Sequence, residues 1–273
     1  MTRIQQRINW IKLHALQEAE KPASDPFITT WNMTSGEFTL LTQTGTYNAT
    51  IDWGDGTSST HTTGNPTHTY ASAGQYQIKI TGQYNGLRID NNATQKDKLI
   101  AVNAWGNVGF TSFERAFYYC SNLVSLPTGS ITGAENVKNF SYCFRDCKSL
   151  TAIPLDLFRY NVNVTNFSWC FRGCPSLEAI PLDLFKYTIN VTSFYRCFSN
   201  CRNLALPSSI FNLSALQAKQ PNMEYCFYVS SATYSHTGTV QPIWNYITIT
   251  VRYSCFTNCT ALTNYSQIPE LWR

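Results

Sequence analysis

Apolar positions in the second half of the chain recur as a fixed phrase. Phe140, Cys143, Phe144, Cys147 and Leu150 are followed 27 residues later by Phe167, Cys170, Phe171, Cys174 and Leu177. A further 27 residues on come Phe194, Cys197, Phe198, Cys201 and Leu204. An earlier copy, Phe113, Ala116, Phe117, Cys120 and Leu123, carries Ala for one Cys, and Cys226-Phe227 and Cys255-Phe256 continue the series at a spacing of 29. Inside each copy the apolar residues sit at i, i+3, i+4, i+7 and i+10. That is the spacing of one helix face, so the phrase predicts a short helix. Ile153-Pro154 breaks it and Val162-x-Val164 alternates as a short strand. A fixed period of this length marks units that bury their apolar faces only against their neighbours. Leu99–Val102 reads as a first strand-like rung, Trp105 as a plug, and Pro269-Glu-Leu-Trp272 as a C-terminal cap.

The first half has a different rhythm. Ile4, Ile8, Ile11, Leu13 and Leu16 lie close to one face of a predicted helix over residues 1–21, which Pro22, Ser24 and Pro26 end. From Phe27 to about Asp90 the pattern is period two. Phe38–Leu41, Tyr47–Ile51 and Tyr76–Ile80 read as strands around the turn Asp52-Trp53-Gly54-Asp55-Gly56-Thr57. The expected domains are therefore a helix and linker over 1–26, a β-sandwich over 27–95, and a repeat region with its cap over 96–273.

Composition narrows the function classes. The 273 residues are 43% hydrophobic but only 13% charged, about half the usual charged share. A net charge of +4 without a clustered basic run argues against a nucleic-acid partner, and no stretch is apolar enough to span a membrane. All ten cysteines fall in the repeat frame. Pairs four residues apart, such as Cys143 and Cys147, suit reduced core thiols better than disulfides or zinc. No metal or cofactor is expected.

Two resemblances add to this reading. The Trp53-Gly54-Asp55-Gly56-Thr57 turn, the segment His68-Thr69-Tyr70 and the strand after Gly74 resemble the polycystic kidney disease (PKD) domain over about residues 28–90. That family implies an immunoglobulin-like sandwich, with Tyr70 packed inside and its hydroxyl bonded to backbone. The phrase Asn163-Val-Thr-Asn-Phe-Ser-Trp-Cys-Phe-Arg-Gly-Cys-Pro-Ser-Leu-Glu-Ala-Ile-Pro181 and its copies, over about 98–265, resemble the BspA-like leucine-rich repeats of bacterial surface proteins. That likeness implies a curved repeat domain used in adhesion and partner binding, with no catalytic residues. The expected fold is thus a PKD/immunoglobulin-like β-sandwich followed by an α/β leucine-rich-repeat solenoid, with an N-terminal helix.

Advancing by the repeat aligns Arg115, Tyr142, Trp169, Arg196 and Tyr225 in one column. Tyr118, Arg145, Arg172, Ser199 and Tyr228 form a second. Arg and aromatic side chains are the types that anchor binding surfaces, so these columns are the candidate binding residues. Asp52 and Asp55 read as turn formers, with a weak Ca²⁺ site as the other reading. Asp146, Asp156 and Asp183 recur with the repeat and read as turn or surface positions. The sequons at Asn163 and Asn190 also recur with the repeat and read as turn or ladder chemistry between rungs. The four histidines show no catalytic frame.

The expected function is non-enzymatic. The first ten residues lack the apolar core of a signal peptide, which favours a phage virion component (decoration, fibre or tail) on the particle exterior. Its N-terminal helix (Ile4, Ile8, Trp10 and Ile11) or its sandwich would contact other virion proteins in a larger assembly. Its repeats would bind a host surface glycan or protein. A bacterial cell-surface adhesin is the alternative, and a polysaccharide-active enzyme, which would need two convergent carboxylates, comes last.

Overall fold

The computed structural model describes residues 25–89, 93–202, 204–231, 236–245 and 254–273. The predicted helix over 1–21, with Ile4, Ile8, Trp10 and Ile11, lies outside them.

Period-two patterning builds the first half. Strand β1 (Phe27–Met33) turns Phe27, Thr29, Trp31 and Met33 inward. With β3 (Asn48–Asp52), β4 (Ser58–His61), β6 (Gly74–Gln83) and β7 (Leu99–Ala104) it forms an antiparallel sheet of order β4-β3-β6-β1-β7. β2 (Gly36–Thr39) and β5 (Thr67–Tyr70) pair separately as a two-stranded ribbon. Tyr70 is buried and its hydroxyl donates to the Trp53 carbonyl at 2.9 Å. The Asp52–Thr57 turn needs Gly54. Its φ is +82°, and a Cβ there would meet the Gln77 carbonyl oxygen at 2.6 Å.

The repeat region corrects the sequence expectation. The α/β leucine-rich-repeat solenoid does not form, and the fold is β-rich instead. Among the described residues only two α-helices occur, α1 (Ala93–Lys96) and α2 (Leu213–Lys219), and neither lies on a repeat phrase. Each phrase folds as a run of turns. The reason is the backbone hand. Arg115, Tyr142, Trp169, Arg196, Tyr225 and Ser254 all have φ between +43° and +63°. Four residues beyond the first four of these, Tyr119, Asp146, Gly173 and Asn200 repeat the left-handed conformation, as does Asn258. An α-helix cannot pass through left-handed residues at every fourth position.

Alternating hand turns successive peptides in different directions. The amides of Ala116, Tyr118 and Cys120 close i to i+3 turns on Phe113, Arg115 and Phe117. The amides between them point along the stack. Phe113 donates to Asn139 at 3.0 Å, Arg115 to Ser141 at 3.0 Å, Phe117 to Cys143 at 2.9 Å and Tyr119 to Arg145 at 2.8 Å. The same set recurs from Phe140, Tyr142, Phe144 and Asp146, from Phe167, Trp169, Phe171 and Gly173, and from Phe194, Arg196, Phe198 and Asn200. Every such amide donates to the tier that follows it in the chain.

Register stacks like on like. Phe117, Phe144, Phe171, Phe198, Phe227 and Phe256 form a column of near-parallel rings with centroids 5.2–5.6 Å apart. The ten cysteines are buried and unbridged. The Cys147, Cys174, Cys201 and Cys259 thiols donate to the carbonyls of Phe117, Phe144, Phe171 and Phe227 at 2.9–3.1 Å. Asn163 and Asn190 donate to the Glu135 and Val162 carbonyls in the preceding tier at 2.9 and 3.0 Å, the ladder role their register predicts. Asp146, Asp156 and Asp183 are all left-handed turn residues.

β7 joins the two halves. One edge pairs with β1, while Ala101 on the other edge bridges in parallel to Ser125, with Val102 donating to the Ser125 carbonyl at 3.1 Å. Trp105 is buried edge-on against Phe113 and Phe117. A single hydrophobic core runs from Phe27 to Trp272. At the far end Trp272 is buried, and its carbonyl accepts the Phe256 amide at 2.8 Å.

Candidate functional site

The candidate binding residues occupy one flank of the stack, held there by the left-handed backbone. A left-handed residue cannot tuck its side chain under the preceding turn, so Arg115, Tyr142, Trp169, Arg196 and Tyr225 stand outward, half-buried and in register. Three residues further on in the chain, Tyr118, Arg145, Arg172 and Tyr228 fill the adjacent column and are also half-buried. Ser199, the remaining member of that column, is fully buried.

The structure brings these residues into one interleaved ladder. Arg115 lies 5.2 Å from the Tyr142 ring centroid, and Arg145 lies 5.2 Å from Tyr118 and 5.0 Å from Trp169. Arg172 and Arg196 both lie 4.9 Å from Trp169, and Arg196 lies 4.5 Å from Tyr225. Tyr142 stacks on Trp169 at 5.6 Å, and Tyr225 meets Tyr228 edge-on at 5.5 Å. Each such contact is worth about 0.5–1 kcal/mol at an exposed site. The ring faces along the axis are thus taken by neighbours. What the flank offers outward is ring edges and guanidinium N–H groups.

Charge on this flank is unevenly matched. Asp146 lies 3.0 Å from Arg145 and 3.9 Å from Arg172, so one carboxylate serves two guanidinium groups. Burial, and after it the nearby Arg145 charge, draw the Arg172 pKa below its ordinary value, while Asp146 works against them. Beside this group opens a cleft of about 410 Å³ lined by Asp146, Lys148, Arg172, Gly173, Arg202 and Val229, among others. Sequence reasoning singled out Arg172 there but missed the cleft. Tyr195 was missed too, although its hydroxyl accepts from Arg196 Nε at 3.0 Å. Its position in the tier, directly before Arg196, was the available signal.

Asp52 and Asp55 are committed to their turn. Asp52 accepts from the Gly54 amide at 2.9 Å, and Asp55 accepts from Thr57 and from His68 Nε2 at 2.7 Å. Burial opposes ionisation of Asp55, but the bonds from Thr57 and His68 outweigh it and hold its pKa down at about 2. His68 in turn lies flat on Trp53, with centroids 4.9 Å apart. Among the described residues no three His, Cys, Asp or Glu side chains gather as a metal-binding group, and no helix is long and apolar enough to cross a membrane. No protein-family model, curated protein or solved structure matches the chain.

Proposed function

We propose that this chain is a non-enzymatic display protein that binds a host surface glycan or protein through its Arg and aromatic flank, as a structural or adhesion component of a phage particle. The observation that carries the reading is the continuous ladder from Arg115 to Tyr225, in which guanidinium groups and rings interleave in register. A regular, outward-facing array of donors suits a repetitive ligand, and Arg, Tyr and Trp are the residues that dominate binding energy at surfaces. A second reading, a bacterial cell-surface adhesin, has its own support. It rests on the resemblance of the phrase Phe167-x-x-Cys170-Phe171-x-x-Cys174 to the repeats of BspA-like surface proteins.

Both readings place the flank against a ligand, and both are tested first by a glycan and host-envelope binding screen with the intact protein. Trp169→Ala removes the ring shared by three arginines and is expected to weaken binding at least tenfold while leaving the protein folded. Unchanged binding by this variant would rule out the flank. Immunogold labelling of particles and of uninfected cells then separates virion from cell surface.

A further inference from the structure

The cleft beside the ladder has a compositional origin. Asp146 and Asn200 occupy one tier position and Lys148 and Arg202 another; in the tier between them the same positions hold Gly173 and Pro175. Both lack a long side chain, so the column is interrupted and a hollow opens. Gly173 has φ +71°, and a Cβ there would run into the Asp146 carboxylate. Lys148 and Arg202 stand exposed on the two rims, and Arg172 forms the wall between them. Among the described residues that line the hollow, three cations face one acid, and that acid also lies against Arg145. Pro175 and Val229 supply apolar surface, and Asn200 and Ser230 supply polar groups. At about 410 Å³ the hollow is within the size range of small-ligand sites, about 300–1,000 Å³.

We propose that this cleft seats the carboxylate of an acidic sugar, so that the flank recognises a linear uronate-bearing polysaccharide. The inference rests on the display-protein reading above and names its ligand class. Guanidinium forks match carboxylates in two-point contact, and an ammonium on the opposite rim completes the charge. Apolar patches beside polar groups suit a pyranose ring. Successive tiers are 5.2–5.3 Å apart at the inner ring column, close to the advance of an extended pyranose chain per sugar. A single-stranded nucleic acid is disfavoured, because it needs open ring faces on which bases stack, and here those faces are occupied.

The test is calorimetric titration of the full chain with a β-1,4-linked mannuronic acid oligomer, the same oligomer after carboxyl reduction, and single-stranded DNA of equal charge. The acidic oligomer is expected to bind, at least tenfold more tightly than its reduced form and than the DNA. Combined Lys148→Gln and Arg202→Gln replacement removes the rim charges at exposed positions and is expected to cost at least tenfold. Gly173→Asn gives this tier the side chain Asn200 already carries, fills the gap in the column and displaces the Asp146 carboxylate from its present position. It is expected to cost as much. Equal binding of acidic and reduced oligomers overturns the carboxylate assignment but leaves the flank as a glycan surface. Equal binding of DNA overturns it in favour of an unselective polyanion surface. Binding of neither oligomer overturns both this assignment and the glycan reading on which it stands.

Discussion

At the scale of single residues, the thiols and one histidine give the sharpest expectations. Burial raises the pKa of Cys147, Cys170, Cys174 and Cys197 well above that of an ordinary thiol, so they stay protonated in the folded protein. Iodoacetamide is therefore expected to leave these four unmodified in the native protein and to alkylate them in denaturant, as peptide mass mapping reports. Phe171 sits between Phe144 at 5.2 Å and Phe198 at 5.3 Å. Its replacement by Ala should cost about 3–5 kcal/mol, read as a fall in the denaturant midpoint. His236 is buried, and burial lowers its pKa to about 4. The unfolded chain, with an ordinary histidine near 6.5, binds more protons between those two values. Stability from this residue is thus whole above pH 6.5 and is lost as pH falls toward 4, by about 3 kcal/mol at most. Melting curves across that range should show the loss, and His236→Phe should flatten it.

At the scale of elements, the tier is the unit that the chain can lose or keep. Along-stack bonds recur at one repeat, so excision of residues 147–173 joins equivalent positions and is expected to give a folded protein one tier shorter. Excision of residues 147–166 breaks the register and should not fold; circular dichroism and a cooperative melt distinguish the two. The same register explains what was readable. Which residues face inward, and which columns carry Arg and aromatic side chains, followed from the period alone. The backbone did not, because apolar spacing of i, i+3, i+4 and i+7 reports direction and not hand. The overlooked signal was the column Tyr119, Asp146, Gly173, Asn200, three of whose four members are types that tolerate left-handed angles. β3 and β6 were legible from alternation, whereas β4 was not, since Ser58–His61 buries no side chain fully. The cleft escaped because it is made by side chains that are missing.

At the scale of the whole molecule, β7 makes sheet and stack one cooperative body. It has a partner on each edge, and the core is continuous across it. Calorimetry should therefore record one unfolding transition, and two well-separated transitions would show that the halves are independent. A further consequence lies in the amides of the repeat phrase, which all donate to the following tier and outnumber those, such as Ser149, Thr165, Glu178 and Thr192, that donate back to the preceding one. Peptide groups so aligned add their dipoles, each about 3.5 D, as they do in a helix. The stack is thus electrically polar, its negative pole abutting the sheet, where Gln43 answers the Glu114 carbonyl at 2.8 Å, and its positive pole toward Trp272. An anionic polymer lying lengthwise along this axis feels a different potential at each end, so the molecule imposes a direction on whatever chain it holds.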